Sequence, residues 1–232
     1  MIPRKLYDAD HDMFRDTVRK FLQAEAAPHH EQWEMDGMVS DEIWLRAGEQ
    51  GFLCPTVPEE YGGVGADFRY NCIVNEEVAR AGCTGLGWGV HSDVSVPYII
   101  RYGSKEQKKK YLGRCVTGDL ITAIAMTEPG AGSDIQGTKT SAVLEGDHYV
   151  LNGSKTFITN GLKAGLVIVA AKTDVSAGSM GISLFLLEDG MVGFTKGKKL
   201  QKLGLKAQDT AELFFQDVKV PQENLLGEVG CG

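Results

Sequence analysis

Residues 138–158, TKTSAVLEGDHYVLNGSKTFI, decide the fold class of this 232-residue chain. Apolar and polar residues alternate along much of this stretch and β-branched residues recur, which is typical of half-buried β-strands. Two groups of turn residues interrupt the alternation, Glu145-Gly146-Asp147 and Asn152-Gly153. Both suit tight hairpins, because glycine and asparagine accept the positive φ that such turns need. The stretch therefore predicts antiparallel strands joined by hairpins.

The same period of two extends over the chain after Gly118. Because no helix-length segment separates most of the predicted strands, we expect an antiparallel sandwich or barrel rather than a doubly wound parallel sheet. The predicted strands cover residues 120–126, 138–144, 148–151, 155–158, 166–171, 182–187 and 211–215.

The residues before position 118 have helical spacing instead. Phe14, Val18, Phe21 and Leu22 lie at i, i+4, i+7 and i+8, so they share one face of an amphipathic helix. Pro28 is then predicted to stop or kink the chain, because proline cannot continue the hydrogen-bond ladder of an α-helix.

Four further helical segments are predicted in this half. One begins after Ser40 as the N-cap and ends at Gly51, one covers residues 68–81, one covers residues 82–102 with a kink or break at Pro97, and one runs from a Ser104–Gln107 capping box to Cys115. The chain is therefore predicted to be an α+β protein. An all-α helical domain at residues 1–117 precedes an antiparallel β-barrel or sandwich domain at residues 118–232.

Composition excludes several classes of protein. With 43% hydrophobic and 24% charged residues, the chain is predicted to be soluble and globular, not disordered, collagen-like or coiled coil. A net charge of -7 disfavours binding to nucleic acid, and the basic run at residues 108–110 is interpreted as a solvated helix face. Charges from Arg4 onward and the lack of a long apolar segment predict neither a secretion signal nor a transmembrane span.

The five cysteines give no sign of a metal site or a disulfide framework. They are odd in number and scattered, with no C-x-x-C pair and no histidine at a spacing that zinc could use. We interpret them as reduced thiols in a cytosol-like compartment.

Residues 123–137, AIAMTEPGAGSDIQG, carry the most information about function. Glycines at 130, 132 and 137 let backbone N–H groups approach an anion or a flat ring system. Their spacing is not the G-x-G-x-x-G of a dinucleotide fold, and no helical pattern follows. Four polar residues, Thr127, Glu128, Ser133 and Asp134, crowd the turn, more than a connector needs. A ligand-binding loop is therefore favoured over a plain glycine turn.

Three motifs resemble those of the acyl-CoA dehydrogenases, flavoproteins that desaturate fatty acyl thioesters. They are AMTEPGAGSDIQG at residues 125–137, NGSKTFITNG at residues 152–161, and KLGLKAQDTAELFF at residues 202–215 followed by VKVP at residues 218–221. The third is most similar to the long-chain branch of the family. Because the preceding helices also match the family's N-terminal domain in kind and order, the resemblance covers the whole chain.

The resemblance implies an enzyme of fatty acid β-oxidation, with FAD as its cofactor, an acyl-CoA as its substrate and an electron-transfer flavoprotein as its electron acceptor. The cofactor-binding residues that it implies are Ile124, Ala125, Met126, Thr127, Glu128, Pro129, Gly130, Ala131, Gly132, Ser133, Phe157, Ile158 and Thr159. The Thr127 hydroxyl would bind the pyrimidine end of the flavin, Phe157 would lie against the ring, and the Thr159 hydroxyl would lie near N5. Ser133, Ser179 and Met180 would contact the substrate.

The resemblance also implies that a C-terminal helical bundle is absent from these residues. The family carries its catalytic glutamate there, so we predict no catalytic residue in this chain. Glu128 is interpreted as ordering the cofactor loop rather than abstracting a proton. Residues 1–232 alone are expected to bind FAD weakly or not at all and to turn over slowly if ever. A full-length homo-oligomer, dimeric or tetrameric, is expected in the cytoplasm, or in the mitochondrial matrix if the protein is eukaryotic and processed.

Three other functions remain open. The same fold could host an acyl-CoA oxidase or a flavin monooxygenase, or it could serve as a non-catalytic acyl-binding module. A serine or cysteine hydrolase is disfavoured, because none of the histidines at positions 11, 29, 30, 91 and 148 lies in a hydrolase motif. His91 is interpreted as a satisfied core or pocket histidine.

Overall fold

The computed structural model describes residues 6–232, and the charged segment that begins at Arg4 starts outside them. Within these residues the α-helices are α1 (Ala9–Phe21), α2 (His30–Asp36), α3 (Glu42–Glu49), α4 (Phe68–Arg80), α5 (Val96–Tyr102) and α6 (Lys105–Thr117). The strands are β1 (Thr122–Ala125), β2 (Ser141–Glu145), β3 (His148–Thr159), β4 (Leu166–Lys172), β5 (Ile182–Glu188), β6 (Phe194–Lys199), β7 (Thr210–Pro221) and β8 (Leu225–Leu226). A helical part therefore precedes a β part, as predicted.

The apolar face of the first helix is confirmed. Val18 and Leu22 are fully buried, and Phe14 and Phe21 pack against the same core. A π-helical turn, Leu22–Ala26, follows α1, and the 3-10 turn that contains Pro28 then leads into α2. Pro28 interrupts the α-helical geometry without ending the helical path, because proline is tolerated in the first turn of a helical segment, where its missing N–H is not needed.

Other helix boundaries confirm or correct the predictions. The capping box of α6 is confirmed, since Ser104 and Gln107 each accept a hydrogen bond from the other's backbone N–H. Ser40 is not the N-cap of α3; Asp41 holds that position, and its side chain makes no capping hydrogen bond. Residues 68–81 are helical almost to the end predicted, with Ala81 as the C-cap of α4.

The prediction of one helix over residues 82–102 is wrong. Residues 82–87 are turns, and a π-helical segment, Val90–Ser95, precedes α5. The helical path is then continuous from Trp88 to Tyr102, and Pro97 lies in the first turn of α5 without breaking it, so the predicted break at Pro97 is wrong. The turns bring backbone against the β part: a Cβ atom at Gly85 would lie 2.4 Å from the Cβ of Ala207. Glycine is therefore required for close packing here, which a regular helix would not provide.

The strands form one eight-stranded sheet with the order β6-β7-β3-β2-β4-β5-β8, and β1 pairs with β4. The prediction of a purely antiparallel sheet is wrong at two places. β1 runs parallel to β4, and Ser141 of β2 pairs in parallel with Lys172 of β4. More than 20 residues separate β1 from β4, and a connection of that length permits parallel pairing. The other strand pairs are antiparallel.

Only one of the two predicted hairpins exists. Glu145 pairs with His148 across a two-residue turn, which confirms the first. The prediction of a hairpin at Asn152-Gly153 is wrong, because β3 continues without a break to Thr159. The irregularity lies on the neighbouring strand β7 instead, which has one residue more than β3 at this point. There Asp217 has a φ of +49° and its N–H donates to the Asn152 side chain at 2.8 Å.

Substituting Gly153 by alanine is expected to lower the free energy of unfolding by about 3 kcal/mol. Gly153 has a φ of +147°, and a Cβ there would lie 2.7 Å from the Cα of Thr140. Gly146→Ala is the matched control: its φ is +66° but no atom lies within 4 Å, so about 1 kcal/mol is expected. Urea unfolding measures both, and equal losses would contradict the close approach at Gly153.

The sheet curls around a core of its own. Leu151 of β3 and Val218 of β7 pack in the same cluster as Val169 of β4 and Phe185 of β5. The alternate residues of β4 and β5 face the helical part, where Ile168 joins the helical core. Both strands are therefore buried on both faces, which explains their nearly unbroken apolar sequences.

Two strands were missed in the sequence. β6 reads FTKGKK, and its three lysines and one glycine hide the period of two. β8 has only two residues, too few for any pattern.

His91 joins the helical part to the sheet. Its ring is fully buried, Nε2 lies 3.0 Å from the Cys115 carbonyl oxygen, and Nδ1 accepts from the Thr122 N–H at 3.1 Å. The neutral tautomer with a proton on Nε2 satisfies both contacts. Burial lowers the pKa of His91 to about 4, although the Cys115 carbonyl acts in the opposite direction. The prediction of a satisfied core histidine is confirmed.

The contribution of His91 to the free energy of unfolding is expected to fall by about 3 kcal/mol as the pH drops from 6.5 to 4. In this range the unfolded chain takes up a proton at His91, but the folded protein, with a pKa of about 4, does not. His91→Gln preserves an acceptor and a donor without titrating, so it should remove this part of the pH dependence. Denaturant titrations at several pH values test the prediction, and an unchanged slope in His91→Gln would contradict it.

Within residues 6–232, no helix combines the length and the apolar character that crossing a bilayer requires. The five cysteines, all inside this range, form no disulfide.

Candidate functional site

The glycine-rich loop begins with a tight turn at the end of β1. The N–H of Glu128 donates to the Ala131 carbonyl at 2.8 Å, and the N–H of Ala131 donates back at 3.1 Å. Pro129 and Gly130 occupy the two positions between them and are exposed. This closed turn presents the following residues, Gly132 and Ser133, at the surface.

The loop is attached to β3, which carries the second motif. The N–H of Thr156 donates to the Thr127 carbonyl at 2.9 Å. One residue earlier, the Lys155 ammonium donates to the Met126 carbonyl at 2.9 Å. The structure therefore brings together the two motifs that the sequence singled out, although Thr127 and Thr156 lie 29 positions apart in the sequence.

Glu128 is engaged by three donors. Its carboxylate accepts from the Lys139 N–H at 2.7 Å, the Thr140 N–H at 3.0 Å and the Lys155 ammonium at 2.8 Å. Burial would raise the pKa of Glu128, but these hydrogen bonds outweigh it and hold the pKa below its usual value. A carboxylate with both oxygens occupied is a poor proton acceptor. Glu128 therefore orders the loop, as predicted.

Phe157 lies in a β-bulge. Lys155 pairs with Leu213 and Ile158 with Ala211, so two residues of β3 face one residue of β7. Phe157 has a φ of +58°, which is a rare conformation for a bulky residue, and its side chain is 68% exposed. Bulges next to functional sites turn a side chain out of the regular alternation. Here an aromatic ring is presented to the outside, next to the loop.

Asn160 holds the end of β3 against the helical part. It has a φ of +60°, and its amide donates to the carbonyls of Gly87 at 3.1 Å and Thr122 at 3.2 Å. Its own N–H donates to the Asp209 carbonyl at 3.0 Å, and the Asp209 carboxylate accepts from the N–H of Leu162 at 2.8 Å. These contacts set the direction of the chain immediately after Thr159.

The predicted cofactor-binding residues differ in their exposure to solvent. Ala125, Glu128, Ala131 and Ile158 are buried, Ile124, Met126, Thr127 and Thr159 are half-buried, and Pro129, Gly130, Gly132, Ser133 and Phe157 are exposed. The half-buried and exposed members can present side chains or backbone to a ligand. The buried members support the shape of the loop and the bulge.

The predicted substrate residues come from two separate segments of the chain. Ser133 lies on the loop itself, whereas Ser179 and Met180 lie in a short 3-10 turn between β4 and β5. This turn approaches the far end of the loop, since a Cβ at Gly178 would lie 4.0 Å from the Gln136 side-chain oxygen. Met180 is exposed, at 68%.

Lys155, Asn160 and Asp209 were not recognised as site residues from the sequence alone. Lys155 could have been found, because it has the same odd-numbered phase in β3 as the buried positions 149 and 151, where a lysine needs a partner. Nothing local to Asn160 or Asp209 indicates their contacts, which join residues far apart in the sequence.

The site offers backbone donors and open space. The N–H groups of Gly132 and Ser133 donate to no acceptor among residues 6–232. A Cβ at Gly130 or Gly132 would meet no atom within 4 Å. An anionic group or the edge of a flat polar ring could use such donors. In the same part of the chain, no group of three His, Cys, Asp or Glu residues is placed to hold a metal ion.

Comparison with known families identifies both halves of the chain. Residues 8–119 match the model described as "Acyl-CoA dehydrogenase, N-terminal domain", and residues 123–218 match "Acyl-CoA dehydrogenase, middle domain". The long-chain specific acyl-CoA dehydrogenase of Mus musculus, a mitochondrial protein by its name, is 53% identical over 99% of this chain. The match covers 54% of that relative, so the chain spans about half the length of the curated relatives it matches.

Solved structures agree with this result. An acyl-CoA dehydrogenase from Geobacillus kaustophilus superposes with a TM-score of 0.97 at 55% identity, over 99% of this chain and 61% of that one. An acyl-CoA dehydrogenase complexed with FAD from Bacillus anthracis has a TM-score of 0.91 at 37% identity, over 100% of this chain and 39% of that one. This chain therefore belongs to the acyl-CoA dehydrogenase family.

Proposed function

We propose that the protein catalyses the FAD-dependent α,β-dehydrogenation of fatty acyl-CoA thioesters, the first step of β-oxidation. The observation that supports this most is the 2.9 Å hydrogen bond from the Thr156 N–H to the Thr127 carbonyl. It places the glycine-rich loop beside the exposed ring of Phe157. In this proposal residues 1–117 form the helical domain and residues 118–232 form the flavin-binding domain.

The residues around this hydrogen bond fit FAD. An exposed aromatic ring beside free backbone donors suits a flat, polar, anionic cofactor. When bound, FAD supplies a hydride acceptor, N5, for the β-hydrogen of the acyl chain. We assign the contacts to residues 124–133 and 157–159, with Thr127 at the pyrimidine end, Phe157 against the ring and the Thr159 hydroxyl toward N5.

We assign no catalytic base to residues 6–232. Glu128 is the buried carboxylate of the loop, and three donors occupy it. For residues 1–232 alone we therefore propose weak FAD binding and slow turnover. Ser133, Ser179 and Met180 are proposed substrate contacts. Ser133 lies on the loop, and the other two lie near the loop's far end.

The proposed electron acceptor is an electron-transfer flavoprotein, and the proposed assembly is a homo-oligomer. We propose the cytoplasm as the compartment, or the mitochondrial matrix if the protein is eukaryotic and processed. The name of the mouse relative, which calls it mitochondrial, supports a mitochondrial location for a eukaryotic protein.

The proposal is tested on the complete protein by visible spectroscopy. The purified protein is expected to be yellow, and anaerobic addition of long-chain acyl-CoA is expected to bleach the flavin bands. A colourless protein that cannot be loaded with FAD would contradict the cofactor assignment, and a yellow protein that no acyl-CoA bleaches would contradict the reaction.

Oxygen reactivity separates the proposed dehydrogenase from an oxidase or monooxygenase. After bleaching, slow reoxidation by air and rapid reduction of an electron-transfer flavoprotein are expected. Rapid, stoichiometric formation of hydrogen peroxide would instead indicate an oxidase, and incorporation of oxygen into a product would indicate a monooxygenase.

A further inference from the structure

The ion pair between Glu128 and Lys155 lies at the base of the glycine-rich loop. The Lys155 side chain is fully buried, and the exposed fraction of Glu128 is 7%. The ammonium lies 2.8 Å from a Glu128 carboxylate oxygen and 2.9 Å from the Met126 carbonyl oxygen. A buried ammonium is costly without a carboxylate partner, so each member of the pair requires the other.

The same carboxylate also binds the far end of the loop. The N–H groups of Lys139 and Thr140 donate to it at 2.7 and 3.0 Å. Residues 126–128 leave β1, and residues 139–140 lead into β2. One carboxylate therefore connects the two ends of the loop.

Lys155 connects this closed loop to the bulge. It lies on β3 two residues before Phe157, at the last regular pair before the register shift. The position of its ammonium, fixed by Met126 and Glu128, therefore sets the distance between the loop and the bulge. The neighbouring hydrogen bond from the Thr156 N–H to the Thr127 carbonyl also holds the loop against β3.

The pair has no free atom for acid–base chemistry. Both carboxylate oxygens accept hydrogen bonds, and the ammonium is shielded from solvent. Its function must therefore lie in the geometry that it imposes on neighbouring residues.

We propose that the Glu128–Lys155 ion pair is a positioning device, which holds the loop at residues 127–133 and the bulge at residues 157–159 at the spacing FAD requires before FAD binds. Its effect on FAD rests on the function proposed above, whereas its effect on the loop does not. Preorganisation of this kind lowers the entropy lost on binding and therefore raises affinity.

The variants Glu128→Gln, Lys155→Met and the double variant test the proposal. Glu128→Gln preserves the shape of the side chain but removes its charge. The matched control is Glu77→Gln in α4: Glu77 is 1% exposed and accepts from Arg15 and Arg19, so it is an equally buried carboxylate of the helical part. Urea unfolding of every variant separates global stability from local effects.

Amide hydrogen exchange in the FAD-free protein is the first readout. Glu128→Gln is expected to raise exchange rates about tenfold or more at the hydrogen-bonded amides of residues 128 and 131 in the loop and of residue 156 in β3, relative to a Glu77→Gln variant under conditions of equal global stability. Unchanged exchange in these two segments would overturn the proposal, whether or not the protein binds FAD. If Lys155→Met does not fold, Glu128→Gln alone decides the outcome.

FAD titration of the complete protein is the second readout. Glu128→Gln and Lys155→Met are each expected to weaken FAD binding about tenfold or more and to alter the visible bands of the bound flavin. The double variant is expected to be no worse than the worse single variant, because the pair acts as one unit. Affinities and spectra like those of Glu77→Gln would overturn the proposal, and failure of the wild type to bind FAD would contradict the proposed function only.

Discussion

Replacement of Thr159 by valine in the FAD-loaded complete protein is expected to slow reduction of the flavin by acyl-CoA about 100-fold. Valine has the shape of threonine but no hydroxyl. Thr159 is half-buried at the end of β3, beside the bulge that exposes Phe157. In the proposed function its hydroxyl donates toward the ring atom that becomes electron-rich on reduction. A donor at that point stabilises the reduced form, so its loss raises the barrier.

Stopped-flow absorbance measures this rate directly. Substrate affinity should change little, because the valine variant removes an interaction that strengthens only during the reaction. The flavin reduction potential should fall as well, since the reduced form loses a stabilising donor. Thr195→Val on β6, where the threonine is exposed, is the control and should behave as the wild type. A Thr159→Val rate within threefold of the control would contradict the assignment of this hydroxyl.

Replacement of Asn160 by alanine is expected to lower the free energy of unfolding by about 4 kcal/mol. Its buried amide donates to the carbonyls of Gly87 and Thr122, one in the helical part and one on β1. Both carbonyls would be left without this donor, and the tight packing around the amide would be lost: a Cβ at Gly87 would lie 1.9 Å from the Asn160 side-chain oxygen. Alanine also tolerates the φ of +60° less well than asparagine does.

Two further variants divide this loss into its parts. Asn160→Gly accepts the left-handed backbone, so it should recover about 1 kcal/mol relative to alanine. Asn152→Ala is the matched control, because the amide of Asn152 pairs with exposed Asp217, and only about 1 kcal/mol should be lost. Urea unfolding measures all three. If Asn160→Ala lost no more than Asn152→Ala, the contact of Asn160 with Gly87 and Thr122 would not be stabilising.

The order of helices and strands could be predicted because short-range periodicity determines it. The stripe from Phe14 to Leu22 and the Ser104–Gln107 capping box depend on residues within two turns of one helix. The alternation in β2 and β3 has the same local origin. The loop after Thr127 was recognisable because glycines and polar residues cluster there in a family pattern.

The errors arose where distant residues decide the local structure. Asn152-Gly153 has the composition of a hairpin, but pairing with β2 and β7 on either side keeps β3 extended through it. The bulge at Phe157 depends on the register with Leu213 and Ala211, more than 50 residues away. Likewise, β1 pairs with a strand that the chain reaches 40 residues later. No local pattern contains these pairings.

The candidate site was predicted as two peptide segments but not as one structure. The motifs indicated which residues approach a ligand, and hydrogen bonds from β3 to the loop bring the two segments into contact. The buried lysine that links them was overlooked because lysine is usually a surface residue. A charged side chain at an inward position of a strand is therefore a useful signal for the centre of a site.

Because β3 pairs with β7, one edge of β3 has no partner during part of the protein's synthesis. Thr159 pairs with Thr210, and His148 pairs with Pro221. At about 5–20 residues per second, the ribosome therefore adds β7 several seconds after it has added β3. Until then one edge of β3 has no hydrogen-bonding neighbour, and an open edge can recruit strands from other nascent chains. The β3 edge beside Phe157 is thus completed only after β7 has been added, so chaperone protection of that edge would matter most in the interval before then.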